Sequence, residues 1–400
     1  MPERPSILVV GGGNLERAAD GSWATKVPIA AYLDELADHF GGCVWIAQAY
    51  GTWGDDRGQG TSGVAGHLDP AKIRAIPFAG RLSRAPQNCL LMLRQLRGCD
   101  FAVFFLPAAL TMIPALPLAR LFTRRIAVYV AGDFAAPLAD EGSVRGRLWG
   151  SFYRATFRAA IRMAGVVIAR GRYLADISRR LNRRVVETVP LGHMQPGELP
   201  PAVEPTPDAP RRILYMGLIL ESKGVGDLLH VMKILGDRRP SPSIQLDLLG
   251  DGPDRARFEA LAGEFAVSLR VRFHGWVEDA DRVNAFLSNA HVVVMPSSTH
   301  AEGVPRVIDE ALVRGVPVVA TRIAGMPEEF RDGEVLLVDP GAPHQLADAV
   351  EQILFEPDVR RRYLDGAMRR REHWQGCASA ADQHARILRG DSDGDRAERC

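Results

Sequence analysis

Short apolar runs recur along the chain, separated by amphipathic stretches. In the first half they are ILVV (7–10), VWIA (44–47), FAVFFL (101–106), IAVYV (126–130) and VVIA (166–169). In the second half they are ILYM (213–216), LDLL (246–249), VRF (271–273), VVVM (292–295), PVVA (317–320) and VLLV (335–338). The spacing between them predicts helices over 28–39, 225–236, 254–266, 280–289 and 305–314. Strands that alternate with helices build parallel sheets covered on both faces, and such strands read as unbroken apolar runs. The expected fold class is therefore α/β, with two Rossmann-like domains. The pattern breaks at 195–210, which holds six prolines in sixteen residues and reads as a linker. Expected domains are 1–194 and 211–375. A helix over 376–390 could pack back on the first domain, and 391–400 is expected to be a disordered tail.

A length of 400 residues agrees with two cores rather than one. The formal net charge of +1 hides an asymmetry. Residues 1–200 hold 24 Lys/Arg against 16 Asp/Glu, and residues 201–400 hold 25 against 32. Halves of opposite sign suit different partners. Five scattered cysteines, none at metal-ligand spacing, fit a reducing, cytoplasmic setting. The N-terminus has no apolar stretch with a small-residue cleavage site, so no signal peptide is expected. Residues 101–119 carry no charge and reach the length of a spanning helix. Pro107, Pro114 and Pro117 would break that helix, so a buried strand, a loop and a short helix are expected.

The densest candidate chemistry lies in THAEGVPRVIDEALVRGVPVVAT (299–321). A helix is predicted to start near Pro305 and to stop at Gly315. Glu302 then stands at its mouth and Glu310 inside it. Eight helical residues rise roughly 12 Å, and free N–H groups of a first turn between them favour an anion. Carboxylate, anion seat, carboxylate matches a nucleotide sugar, with hydroxyls at each end and a diphosphate between. The plainer reading is a solvated Glu302 and a surface Glu310. In RRILYMGLILESKGVGDLL (211–229), Gly217 ends a strand and Lys223 precedes a helix N-terminus, where it can offset phosphate charge. The P-loop pattern is absent. In LDLLGDGPD (246–254), Gly250 begins another turn at the carboxyl edge of a sheet, where open α/β sheets bind ligands.

Taken in order, YMGL…SKG, LLGDGPD, FHGWV, VVMPSS…EGVPRVIDEALVRGVPVVAT and GMPEEF resemble the retaining, nucleotide-sugar-dependent glycosyltransferases of family four. The resemblance is strong over 211–354 and weak in the first half. It implies the GT-B fold and a retaining hexosyltransferase, with an acceptor-binding first domain and a donor-binding second. It places Glu302 near the donor sugar, Glu310 on the ribose, Lys223 on the diphosphate, and the N–H groups of Gly303 and Val304 on donor oxygens. Gly21, near Trp23, would meet the donor phosphates from the first domain. Three positions differ from the family pattern. Leu218 follows Gly217 where arginine is common, and Pro305 replaces a glycine. Asp133, after IAVYV, stands nearest to where a histidine is usual, as an acceptor-side base or a sugar ligand.

No cofactor or metal is expected, since the short D-x-D runs fall at a helix start (Asp279/Asp281) and in the tail. The donor would be UDP- or GDP-linked. Glycines 11–13 do not complete G-x-G-x-x-G, because position 16 is Glu16. From Ser143 to Arg184 there are eleven arginines and one acid, Asp176, with Trp149, Phe152, Tyr153 and Phe157 interleaved. That mixture suits docking of 145–184 on an anionic membrane surface, and hence a lipid-linked saccharide acceptor of envelope polysaccharide synthesis. No base-stacking module is present, so nucleic acid is not an expected partner. The alternatives are a catalytically silent GT-B binding partner and a GT-B nucleotide-sugar epimerase.

Overall fold

The computed structural model describes residues 6–17, 22–52, 65–78, 84–106, 113, 116–123, 125–132, 144–188, 206, 209–239, 243–267, 270–277, 279–298, 304–323, 325–375 and 377–391. The chain divides into two units, Met1–His193 with Cys377–Cys400, and Met194–Gly376.

The first unit holds a parallel sheet. Among the described residues its order is β5 (Ile73–Phe78), β3 (Cys43–Thr52), β1 (Ile7–Arg17), β6 (Phe101–Leu106), β7 (Arg125–Val130), β8 (Val166–Arg170) and β9 (Val185–Thr188). Two short strands, β2 (Trp23–Lys26) and β4 (Ala65–His67), add antiparallel pairs at the far end of β1. All six residues of β6 are buried, because successive side chains enter opposite layers. Phe105 packs under α1 (Val27–Phe40) and α13 (Ala380–Arg389). Phe104 packs under α2 (Ala85–Leu96), α3 (Leu116–Ala119), α4 (Val144–Met163) and α5 (Gly171–Arg179).

Two expectations change here. The strand predicted over 7–10 continues to Arg17 through the glycines. Gly11 and Gly12 take positive φ (82° and 88°), and the register with β3 shifts between Val10 and Asn14. A methyl group on Gly12 would stand 3.0 Å from the Phe105 ring, and Gly11 O accepts a 2.7 Å bond from Trp45 Nε1. The glycines thus make a bulge inside a strand, not the end of one. The aromatic residues of 145–165 do not share one outward face either. Tyr153 and Phe157 are buried in the core, and only Phe152 is exposed among those whose side chains are described.

α13 is fastened to α1 by polar contacts at the layer's margin, where Arg389 donates to His39 O and Ser379 to Glu35, and by one within the apolar layer. The Tyr32 hydroxyl and His384 Nδ1 are 2.9 Å apart, and the His384 ring lies between Tyr32 and Tyr129. Complete burial pushes the His384 pKa down to about 3, so the ring is neutral.

The second unit has a sheet of order β12 (Val271–Gly275), β11 (Ile244–Leu249), β10 (Arg211–Met216), β13 (Val292–Met295), β14 (Val318–Thr321) and β15 (Val335–Val338), parallel throughout. α6 (Val225–Arg238), α7 (Arg255–Glu264) and α11 (Pro343–Phe355) cover one face. α8 (Ala280–Asn289), α9 (Arg306–Val313) and α10 (Met326–Glu329) cover the other. α12 (Pro357–Gln375) contributes Tyr363 to the first layer and Ala367 to the second. No helix among the described residues is long and apolar enough to cross a membrane. The uncharged segment 101–119 holds β6 and α3.

Candidate functional site

The order of the second sheet creates a switch point. From β10 the chain moves outward to β11 and β12, then returns to the other side of β10 as β13. The loops leaving the carboxyl ends of β10 and β13 therefore diverge, and ligands of open α/β sheets bind in that crevice.

The loop after β10 carries Gly217, Leu218 and Ile219. A single 3-10 turn, Glu221–Lys223, follows, then Gly224 with φ 72°, then α6. This loop is pressed against the end of β13. A methyl group on Gly224 would lie 2.0 Å from Pro296 O. Ser222 O accepts bonds from Ser298 N at 2.9 Å and Ser298 Oγ at 3.1 Å. On the far side, Thr321 Oγ1 at the end of β14 donates to Ser297 O at 2.5 Å. The turn with Lys223 and the exit of β13 thus form one hydrogen-bonded block, with the half-buried Lys223 beside the switch point.

Gly217 and Gly250 interlock. Gly217 N donates to Leu249 O at 2.9 Å, and Gly250 N to Gly275 O at 2.8 Å. Gly250 has φ 138°, and a methyl group there would stand 1.8 Å from Gly217 O. Gly252 meets Ile219 O the same way, at 2.3 Å. Backbone packed on backbone is therefore one reason why these positions are glycine, beside any clearance for a ligand.

Residues 301–303, including Glu302 and Gly303, lie outside the described residues. Val304 and Pro305 are half-buried, and Pro305 is the N-cap of α9 with extended ψ of 133°. The helix begins at Arg306, one residue later than predicted. Helical rise therefore separates only Arg306 from Glu310, about 6 Å, and not Glu302 from Glu310. Glu310 keeps 27% of its side chain exposed and lies 3.6 Å from Arg306 Nη2. Its carbonyl accepts from Arg314 Nη1 at 2.7 Å, and Arg314 also donates to Asn284 Oδ1 on α8. Burial lowers the Arg314 pKa, and Glu310 opposes that shift.

The neighbouring Asp309 is buried on the opposite side of α9. Arg370 on α12 sits 3.5 Å from Asp309 and 2.7 Å from Glu329 on α10. Its guanidinium also lies over Phe330 and Trp374, at 5.2 and 5.0 Å. Arg370 is thereby the common tie for two helices that start near the carboxyl edge of the sheet. The sequence reading missed it. The available signal was the i, i+4, i+7, i+11 row Tyr363, Ala367, Arg370, Trp374, with one charge in an otherwise apolar stripe.

Leu218, which stands where the resembled family commonly has arginine, is 45% exposed. Asp279, one of the D-x-D aspartates, is the N-cap of α8 and accepts from Asp281 N at 2.9 Å and Arg282 N at 3.2 Å. Asp133 and Gly21 lie outside the described residues. Trp23 is described, in β2, with the Arg17 guanidinium 4.0 Å from its ring centre. A separate pocket of about 230 Å³ lies under α8, lined by Arg212, Asp247, Arg282 and Phe286 among others. Arg212 stands near the start of β10, so this pocket reaches away from the carboxyl edge.

Residues 200–370 match the family described as Glycosyl transferases group 1. A lipopolysaccharide core biosynthesis glycosyltransferase of Rhizobium meliloti (strain 1021) is 40% identical over 159 residues. That match spans 40% of this chain and 43% of the relative. Two solved structures align over nearly the whole chain. One is the sucrose-phosphate synthase of Thermosynechococcus elongatus, with TM-score 0.68, 19% identity, and 97% and 99% of the two chains covered. The other is Anabaena HepE with UDP and glucose, with TM-score 0.66, 15% identity, and 96% and 100% covered. The chain has the GT-B fold. The resemblance to GT-B glycosyltransferases drawn from the motifs is borne out. Its strong part, 211–354, falls inside the family match, and the GT-B architecture extends beyond it to the first unit.

Proposed function

We propose that the protein is a retaining hexosyltransferase that takes its donor as a UDP- or GDP-sugar, without a metal ion. The observation that carries this reading is the hydrogen-bonded block at the switch point, where Lys223 stands beside the exits of β10 and β13. In the proposed reaction the nucleoside diphosphate leaves from the face on which the acceptor hydroxyl attacks. Lys223 and the N–H groups near Val304 stabilise its charge, and Glu310 holds the ribose hydroxyls. Glu302 orients the donor sugar, with Gly21 and Asp133 contributed by the first unit. The acceptor is a lipid-linked saccharide of envelope polysaccharide, which the chain meets through its basic segment 145–184. The lipopolysaccharide relative supports that choice of acceptor, and the UDP and glucose of the Anabaena protein support the donor class.

A panel of thermal shifts with UDP, GDP, ADP, dTDP and their sugars, run with and without EDTA, tests the reading. A ligand that binds only the folded state raises Tm by mass action. One nucleotide is expected to shift Tm in EDTA, with the shift lost in Glu310→Ala. No shift with any of them would favour a catalytically silent GT-B partner, the reading to which the exposed Leu218 and the capping Pro305 point.

A further inference from the structure

Eight large apolar side chains are exposed among the described residues, and five of them lie on one layer of the first unit. Leu90 is on α2, Leu118 on α3, Leu121 and Phe122 in the turn after α3, and Phe152 on α4. These elements are neighbours, because α3 packs against both α2 and α4. Leu121 is the extreme case, at 77% exposed. The turn that displays it is firmly built. Leu121 N donates to Leu118 O and Phe122 N to Ala119 O, both at 3.0 Å. The buried Thr123 then ties the turn down, with Oγ1 donating to Asp100 O at 2.5 Å. Arg120 donates to Met163 O at the end of α4. A fixed turn that presents leucine and phenylalanine to solvent needs a partner surface to cover them.

Arginine outnumbers acid around this corner. Segments 84–96, 116–123 and 144–163 contain no Asp or Glu. Arg84, Arg94, Arg120, Arg158 and Arg162 are exposed on them, and Arg97 just after the first. The Arg97 guanidinium lies 5.3 Å from the Phe122 ring centre. Asp133 is the nearest acid in sequence to the turn, and the exposed Asp100, whose carbonyl holds Thr123, stands beside the turn. Apolar side chains set among arginines that outnumber the acids beside them match a surface that is apolar below and anionic above.

We infer that the corner formed by α2, α3 and α4 docks on an anionic lipid bilayer, with Leu118, Leu121 and Phe122 entering the acyl boundary and the arginines meeting the headgroups. This rests on the reading of a membrane-borne acceptor, and it changes the contact surface. The arginine-rich segment 145–184 alone is not that surface, since its Tyr153 and Phe157 belong to the core. The inserted residues come from outside it.

The test is co-sedimentation of the full chain with vesicles of phosphatidylcholine alone and of phosphatidylcholine mixed with phosphatidylglycerol, at low and moderate salt. The protein is expected to bind the anionic vesicles and to leave the neutral ones largely free, with binding weakened by salt. Leu121→Ser with Phe122→Ser is expected to lower binding about tenfold while Tm and any nucleotide-induced shift stay unchanged. Arg94→Gln with Arg97→Gln is expected to lower it further at low salt than at moderate salt. Failure to sediment with anionic vesicles, or equal binding by the serine variant, overturns the inference. So does a stable dimer that the serine variant dissolves, which would make the corner a contact between copies. A nucleotide shift without vesicle binding would leave the transferase reading standing and remove this surface. Vesicle binding without any nucleotide shift would do the reverse.

Discussion

The two units obey the same rules of sheet construction and differ in where their polar interactions are placed. In the second unit polar links gather at the carboxyl edge, and a second set, Arg360 with His291, lies at the opposite edge. The Ser222–Ser298 and Ser297–Thr321 bonds join adjacent loops at the carboxyl edge, and Arg370 ties together the helices that follow β13 and β14. In the first unit the corresponding buried contact, Tyr32 with His384, fastens a terminal helix to a sheet face. The family match also falls on the second unit. The motifs quoted for the resemblance are likewise dense after residue 210 and sparse before it.

The sharpest way to break this contrast is to remove the tie in the second unit. Arg370→Met leaves Asp309 and Glu329 buried with no cation between them and should destabilise the fold by about 3–5 kcal/mol, read from urea melts. Arg370→Lys should recover part of that loss. A melt unchanged in Arg370→Met would show that the carboxylates find other partners. Next in size, Lys223→Ala should lower kcat by roughly 10²–10³ with the melt unaltered. That outcome would separate the role of the lysine from that of the turn that holds it.

Acid should weaken both units by a single mechanism. Burial pushes the pKa of His384 down to about 3 and, with Arg360 next in effect, that of His291 to about 4. The unfolded chain protonates both near pH 6.5. Between those limits the unfolded state binds more protons, so stability falls as pH falls, by up to ~1.4 kcal/mol per pH unit for each ring. Urea melts from pH 7 to 4.5 should show the loss, and His384→Gln should blunt the part that belongs to the first unit. The smallest expected effect compares two helix caps. Ser379 accepts from Asp382 N at 3.1 Å at the start of α13, as Asp279 does for α8. Either residue changed to Ala should cost about 1 kcal/mol. Unequal losses would show that one cap has a second duty, for which Ser379, which also donates to Glu35, is the candidate.

Much of this was legible in the residues. Every apolar run read as a strand is one, because strands covered on both faces leave no polar interruption to mislead the eye. What escaped has physical reasons. β2, β4 and β9 have three or four residues each, too few to show a period, and β5 carries Pro77. The glycines at 11–13 read as a stop, since nothing local reveals that Phe105 and Trp45 hold them in a bulge. At the candidate site, the motif order located Lys223 and Glu310, but the mutual fit of Gly217 and Gly250 is a fact of two loops meeting. Arg370 lies in a helix so rich in arginine that the buried one looked like the rest.

The first unit takes one of its helices, α13, from beyond the second unit in sequence. Ala381, Ala385 and Leu388 complete the layer over Tyr32 and Leu33, yet the whole of Met194–Gly376 is translated between them. At ordinary ribosomal speeds that interval lasts about 10–40 s. Through it one face of the newborn first sheet is covered by α1 without α13, while the second unit can fold as soon as it emerges. The half that begins first therefore finishes last, and a nascent chain stalled near residue 376 would hold a finished second unit beside an unclosed first.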